Sequence, residues 1–228
     1  MRLWEKVFAK KKKEVDFSPK MIRFLENVKR IMSDENRQNA MNRPEVIEHI
    51  VGGLDVDELP EADGEFGRAI GNPIPVNGFM GELIYLSRLK TSNGSQLIYH
   101  RLGSIEHIDV FETVTLDGQF WDLLFLSMYH PRKSRKAPSG YSIVSLQDQP
   151  ILFGTNVRVH TFPMGLGDAI AQTTEKIFGV PIAAKEVRVA EETGHFSRPE
   201  DHLAKIYDIF PQIHGYAVHS GSKMQSMT

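Results

Sequence analysis

The apolar positions change period along the chain. From Ser18 the spacing is helical: Met21, Leu25, Val28 and Met32 form one stripe flanked by Phe24 and Ile31, Ser18 is placed to cap the first amides, and Pro19 takes the first helical position. After Arg43 and Pro44, the residues Val46, Ile47, Ile50 and Val51 predict a shorter helix, stopped by Gly52 and Gly53. Further along, apolar runs are broken by tight turns. Segments 82–89 and 96–102 flank Asn93-Gly94, and segments 109–116 and 120–129 flank Asp117-Gly118, which predicts two hairpins.

Two-residue turns set the register. The first places Ser87 opposite His100 and Arg88 opposite Tyr99; the second places Val114 opposite Trp121 and Glu112 opposite Leu123. A slip of one residue exchanges the two faces, so every facial assignment depends on this register. Beyond the hairpins, short strands are expected at 151–153 and 157–159, and a helix from Gly165 to about Phe178, closed by Gly179. A strand at 186–189 follows. The last helix carries Leu203, Ile206, Tyr207 and Phe210, with Ser197 and Glu200 as its capping box.

These elements predict an α+β fold, with a mainly antiparallel sheet built from two successive hairpins, packed with C-terminal helices and preceded by a helical N-terminal segment. The expected organisation is a helical segment with an acidic linker over 1–66, an α+β domain over 67–219, and a disordered tail over 220–228.

Composition narrows the function classes. The 228 residues are 41% hydrophobic and include no cysteine. Disulfides, thiolate nucleophiles and cysteine-based metal sites are thereby excluded, and a soluble protein of the reducing cytoplasm is expected. No apolar run approaches the roughly 18 residues of a membrane span.

The net charge of −2 conceals an asymmetry. Residues 1–30 hold ten Lys/Arg against four Asp/Glu, whereas residues 31–66 hold two against ten. The basic part includes Lys10 to Lys13 behind Leu3, Trp4, Val7 and Phe8, a short amphipathic pattern that offers peripheral contact with an anionic membrane. Packing or fraying of a terminal helix is the preferred reading. The acidic part includes six carboxylates between Asp55 and Glu65. As a calcium loop it fails, because Leu59, Pro60 and Phe66 stand where an EF-hand needs an oxygen ligand, glycine and glutamate. It reads as a solvated linker, with the further expectation that it lies over a basic loop and competes with an anionic ligand.

No recognised catalytic or cofactor motif is present, and neither a cofactor nor a metal is expected. The nine histidines lack HExxH spacing; the helix entry at Gly165 lacks both the GxGxxG and Walker patterns; no GxSxG elbow occurs. The most chemical combination is His100 with Glu112 on neighbouring strands, with His130 or Asp122 as candidates to join them. Glu112 falls among Val110, Val114, Trp121, Leu123 and Phe125, where desolvation disfavours its charged form. The competing reading is a hydrogen-bonded core pair.

The other candidate is the loop HPRKSRKAPSGY, with Arg132, Lys133, Arg135 and Lys136 between two prolines. With Asn77, Arg88, Arg101 and His130 it forms the expected ligand-binding mouth. The preferred function is a binding module that takes an anionic small molecule or an acidic protein surface through bidentate arginine contacts. The alternative is a hydrolase or transferase using His100 and Glu112 as acid and base. Nucleic acid is disfavoured by the pI near 6.5.

Overall fold

A computed structural model describes residues 19–146, 152–182 and 184–213. The basic stretch before Ser18, the cap at Ser18, the histidines His214 and His219, and the tail 220–228 lie outside them. In chain order the elements are α1 (Pro19–Ser33), α2 (Glu35–Ala40), α3 (Pro44–Val51), β1 (Ile74–Pro75), α4 (Gly78–Ser87), β2 (Leu89–Thr91), β3 (Leu97–Ile105) and β4 (Ile108–Thr115). They continue as β5 (Trp121–Ser127), β6 (Tyr141–Ile143), β7 (Gly154–Thr155), α5 (Leu166–Phe178), α6 (Lys185–Thr193) and α7 (Glu200–Ile209).

The fold is α+β, but the expected mainly antiparallel sheet of two successive hairpins is corrected. The main sheet is mixed, with order β1-β5-β4-β3-β7. Its outer pairings, β1 with β5 and β7 with β3, are parallel, and the inner two are antiparallel. A separate two-stranded sheet joins β2 and β6.

The first expected hairpin fails because most of its first strand is helix α4. Every residue of α4 except Phe79 is buried, so the sequence there shows neither a 3.6-residue stripe nor a period of two. Asn77 takes the cap position of this helix and Gly78 its first residue. Gly81 is required by close approach, since a Cβ there would lie 2.5 Å from Asn77 Oδ1. Asn93 and Gly94 do turn the chain, but β2 meets the start of β3 only at a Lys90–Gln96 bridge. The second hairpin keeps its expected register, with Val114 opposite Trp121 and Glu112 opposite Leu123. Gly118 supplies the positive φ of 76° that this turn needs.

Later elements differ as well. Residues 186–189 belong to helix α6, and α7 starts after Pro199 with no side-chain cap, so the Ser197–Glu200 box does not form. Residues 152–153 and 157–159 form no strand; Gly154–Thr155, between them, pairs with β3 instead.

Both faces of the sheet are covered. On one, Tyr99, Phe111, Leu124 and Leu126 pack with Leu83, Ile84 and Leu86 of α4, and Val28 and Met32 of α1 join the same core. On the other, Leu102, Val110, Leu123 and Phe125 pack with Ile206 of α7 and with Phe210 and Ile213 behind it. Leu102 shares this second face with His100 by alternation, and the bulge between Arg101 and Gly103 turns Gly103 towards Phe210 as well. Alternation along β3 and β4 then puts Arg101 and Asp109 on the α4 face, and His100 and Glu112 on the α7 face.

Candidate functional site

His100 and Glu112 are cross-strand partners, and His100 Nε2 lies 2.9 Å from Glu112 Oε2. His100 Nδ1 accepts the Val159 amide at 3.0 Å, so the imidazole is neutral and its Nε2–H donates to the carboxylate. Phe162 stacks on the ring at 4.0 Å between centroids. Burial lowers the histidine's pKa, against the pull of Glu112.

Two residues that sequence reasoning missed complete this group. Arg198 donates Nε to Glu112 Oε1 at 2.6 Å and Nη2 to Oε2 at 2.9 Å; His202 Nε2 lies 3.0 Å from Oε1. Trp121 covers them, its ring 5.0 Å from the Arg198 guanidinium carbon. The expected upward shift of Glu112 is reversed. Burial does push it up, but hydrogen bonds from His100 and His202 and the charge of Arg198 outweigh burial and hold the carboxyl well below its usual range. Both His100 and Glu112 are 0% exposed. The geometry is that of a closed ion pair with its hydrogen bonds filled from inside the protein. A glutamate on an otherwise apolar strand face was the available signal, because such a carboxylate requires a cation from elsewhere in the chain.

His130 and Asp122 do not join this group. His130 Nδ1–H donates to the Leu54 carbonyl at 2.9 Å and Nε2 accepts from Ser127 Oγ at 3.1 Å, so both ring nitrogens serve the loop. Asp122 pairs with Arg68 at 2.9 Å and accepts the Tyr141 hydroxyl at 2.9 Å.

The basic loop follows β5, and the acidic linker lies on it. Arg132 donates to Asp55 and, at 2.6 Å, to Asp57 Oδ1, which also accepts the Arg135 amide at 2.8 Å. Lys136 pairs with Glu58 and lies 4.6 Å from the centroid of the Phe66 ring. Ser134 Oγ donates to the Asp57 carbonyl at 2.6 Å. Contacts with Arg135 and Arg132 lower the Asp57 carboxyl, and contacts with Lys136 and Asn72 lower that of Glu58.

Lys133 turns inward instead. It is 6% exposed, and Nζ donates to Gln38 Oε1 at 2.8 Å and Asn77 Oδ1 at 3.2 Å, with Glu35 Oε1 at 3.2 Å. Burial lowers its pKa. Asn77 donates Nδ2 to Gln38 and to Asn39, which reaches the Pro131 carbonyl. This amide cluster fastens α2 to the start of α4 and to the loop, and takes two donors of the lysine, whose ammonium also pairs with Glu35.

A cavity of about 380 Å³ opens beside the loop, lined by Arg88, Arg132, Lys133, Ser134, Arg135, Ile143 and Glu35. Arg88 is half-buried, donates Nε to the Val144 carbonyl at 2.7 Å, and has no carboxylate in ion-pair contact among the described residues. Burial lowers its pKa. The structure thus brings Arg88 and the 132–135 segment together. Arg101 is elsewhere, on the α4 face, with Nη2 2.8 Å from Asp109 Oδ1. Asn77 is buried behind Lys133, and Lys136 faces Glu58 outside this cavity.

No protein-family model, curated protein or solved structure matches the chain.

Proposed function

We propose that the cavity beside the loop binds a compact anion, a phosphate or a group of similar size and charge on a small molecule. The observation that carries this reading is Arg88, a half-buried guanidinium without a carboxylate partner among the described residues, lining the same cavity as Arg135. Glu35, which lines the same cavity, offsets the burial of Arg88 only in part; a desolvated cation with no carboxylate in contact is costly, and an anionic ligand removes that cost. Asp57 gives further support. One of its oxygens takes both the Arg132 guanidinium and the Arg135 amide, a pair of donors suited to an oxyanion.

Titration of inorganic phosphate by calorimetry at low ionic strength tests the reading. Loss of charged hydrogen bonds predicts that Arg88→Ala/Arg135→Ala weakens binding about tenfold or more, with a shallower dependence on salt. Unchanged affinity and salt dependence in that variant overturns it.

A further inference from the structure

The α4 face holds a second group of charges, distinct from the loop cavity. A cleft of about 360 Å³ lies between the end of α2, α4 and the sheet; Glu82, Arg101 and Asp109 line it beside Asn42, Arg43 and Asn156, and Met41, Phe79 and Met128 are among its apolar lining. Glu82 is 1% exposed and Asp109 6%. Among the described residues, three buried side-chain polar atoms have no hydrogen-bond partner, and two of them, Glu82 Oε1 and Arg101 Nε, belong to this cleft. A buried polar atom without a partner is costly, so two in one cleft require an explanation.

The charges supply one. Arg101 neutralises Asp109, which also accepts Ser104 Oγ at 2.7 Å. Glu82 has no cation of its own. Burial first, then the neighbouring Asp109 carboxylate, push its carboxyl well above the usual range, and Arg101 offsets this only in part. Glu82 is thereby pushed towards its protonated form at a position where a positively charged donor would serve it better. Arg101 presents the complementary need, a guanidinium a third exposed with an orphan N–H. A ligand that answers both carries a cation and an anion a short distance apart, and the small volume with its apolar wall suits a small body.

We propose that this cleft binds a small zwitterion of the α-amino-acid type, its ammonium between Glu82 and Asp109, its carboxylate on Arg101, and an apolar side chain along Met41, Phe79 and Met128. The ammonium supplies donors to both carboxylates, and any proton that Glu82 carries passes to solvent.

Calorimetry on the full chain with L-leucine and L-methionine is the test, with isovalerate as the carboxylate-only probe and isoamylamine as the ammonium-only probe. The expected result is binding of at least one amino acid with millimolar or tighter affinity, with each half-ligand at least about tenfold weaker. Glu82→Gln should weaken amino-acid binding at least about tenfold, with its unfolding midpoint unchanged or raised, because the amide can donate to Asp109. Arg101→Met should reduce leucine affinity to that of isoamylamine. Absence of binding by both amino acids up to about 10 mM overturns the proposal, and so does undiminished binding by Glu82→Gln. Isoamylamine binding as tightly as leucine overturns the zwitterion assignment.

Discussion

Glu112 and Glu82 are both fully buried against the same sheet, on opposite faces, and their ionisation goes opposite ways. Burial pushes both carboxyls up; the partners decide the outcome. Glu112 faces two imidazoles and a bidentate guanidinium and stays ionised. Glu82 faces a carboxylate whose nearest cation is already engaged, and its carboxyl is pushed well above the usual range. Burial therefore sets how much each contact matters, because charges interact more strongly away from water, and leaves the sign to the number of donors.

The largest expected effect comes from breaking the satisfied site. Glu112→Gln leaves the Arg198 guanidinium buried without its counter-charge, and urea unfolding should show a loss of about 3–5 kcal/mol. A loss below about 1 kcal/mol would mean that Arg198 finds water or another acceptor.

The unsatisfied site should respond in the opposite direction and with opposite pH dependence. Glu82 has a raised folded-state pKa, so its contribution is complete below the ordinary value of 4.5 and is lost as pH rises towards the raised value, by about 1.4 kcal/mol per unit. Glu112 is depressed, so its contribution is present above 4.5 and lost as pH falls below it. Unfolding free energies of wild type and Glu82→Gln across pH 4 to 8 should diverge with rising pH, in favour of the variant (~1.4 kcal/mol per unit). Parallel curves would show that Glu82 ionises normally.

The smallest expected effect on stability concerns the carboxylates of the linker, which stay in contact with water. Asp55→Asn/Asp57→Asn/Glu58→Gln should leave the unfolding midpoint nearly unchanged, since exposed ion pairs contribute little. Its phosphate affinity should rise several-fold at low salt, and the gain should shrink near 1 M salt, where the screening length is about 3 Å. Equal affinities would make the linker a spacer.

Legibility in the sequence followed the range of the interaction. The Asp117-Gly118 hairpin and its register could be read because turn and strands are adjacent, and register placed Glu112 correctly on its strand face. The attraction between linker and loop was also legible, as complementary charge needs no register. Helix α4 was not, because burial on all sides erases the amphipathic period, and with it went the position of Glu82. Nor were Arg198 and His202, which lie 86 and 90 residues from Glu112. Their absence inverted the expected ionisation of that carboxyl. Lys133 was counted among the ligand-facing cations, although the Gln38–Asn77 cluster takes it inward.

The outermost strands have a consequence of another kind. Both β1 and β7 are two residues long, and β1 includes Pro75, which has no N–H to offer. The long central strands are thereby flanked by borders too short to template a further strand. Each border strand is therefore itself a poor template for edge-to-edge pairing, shortness and proline being natural defences against aggregation.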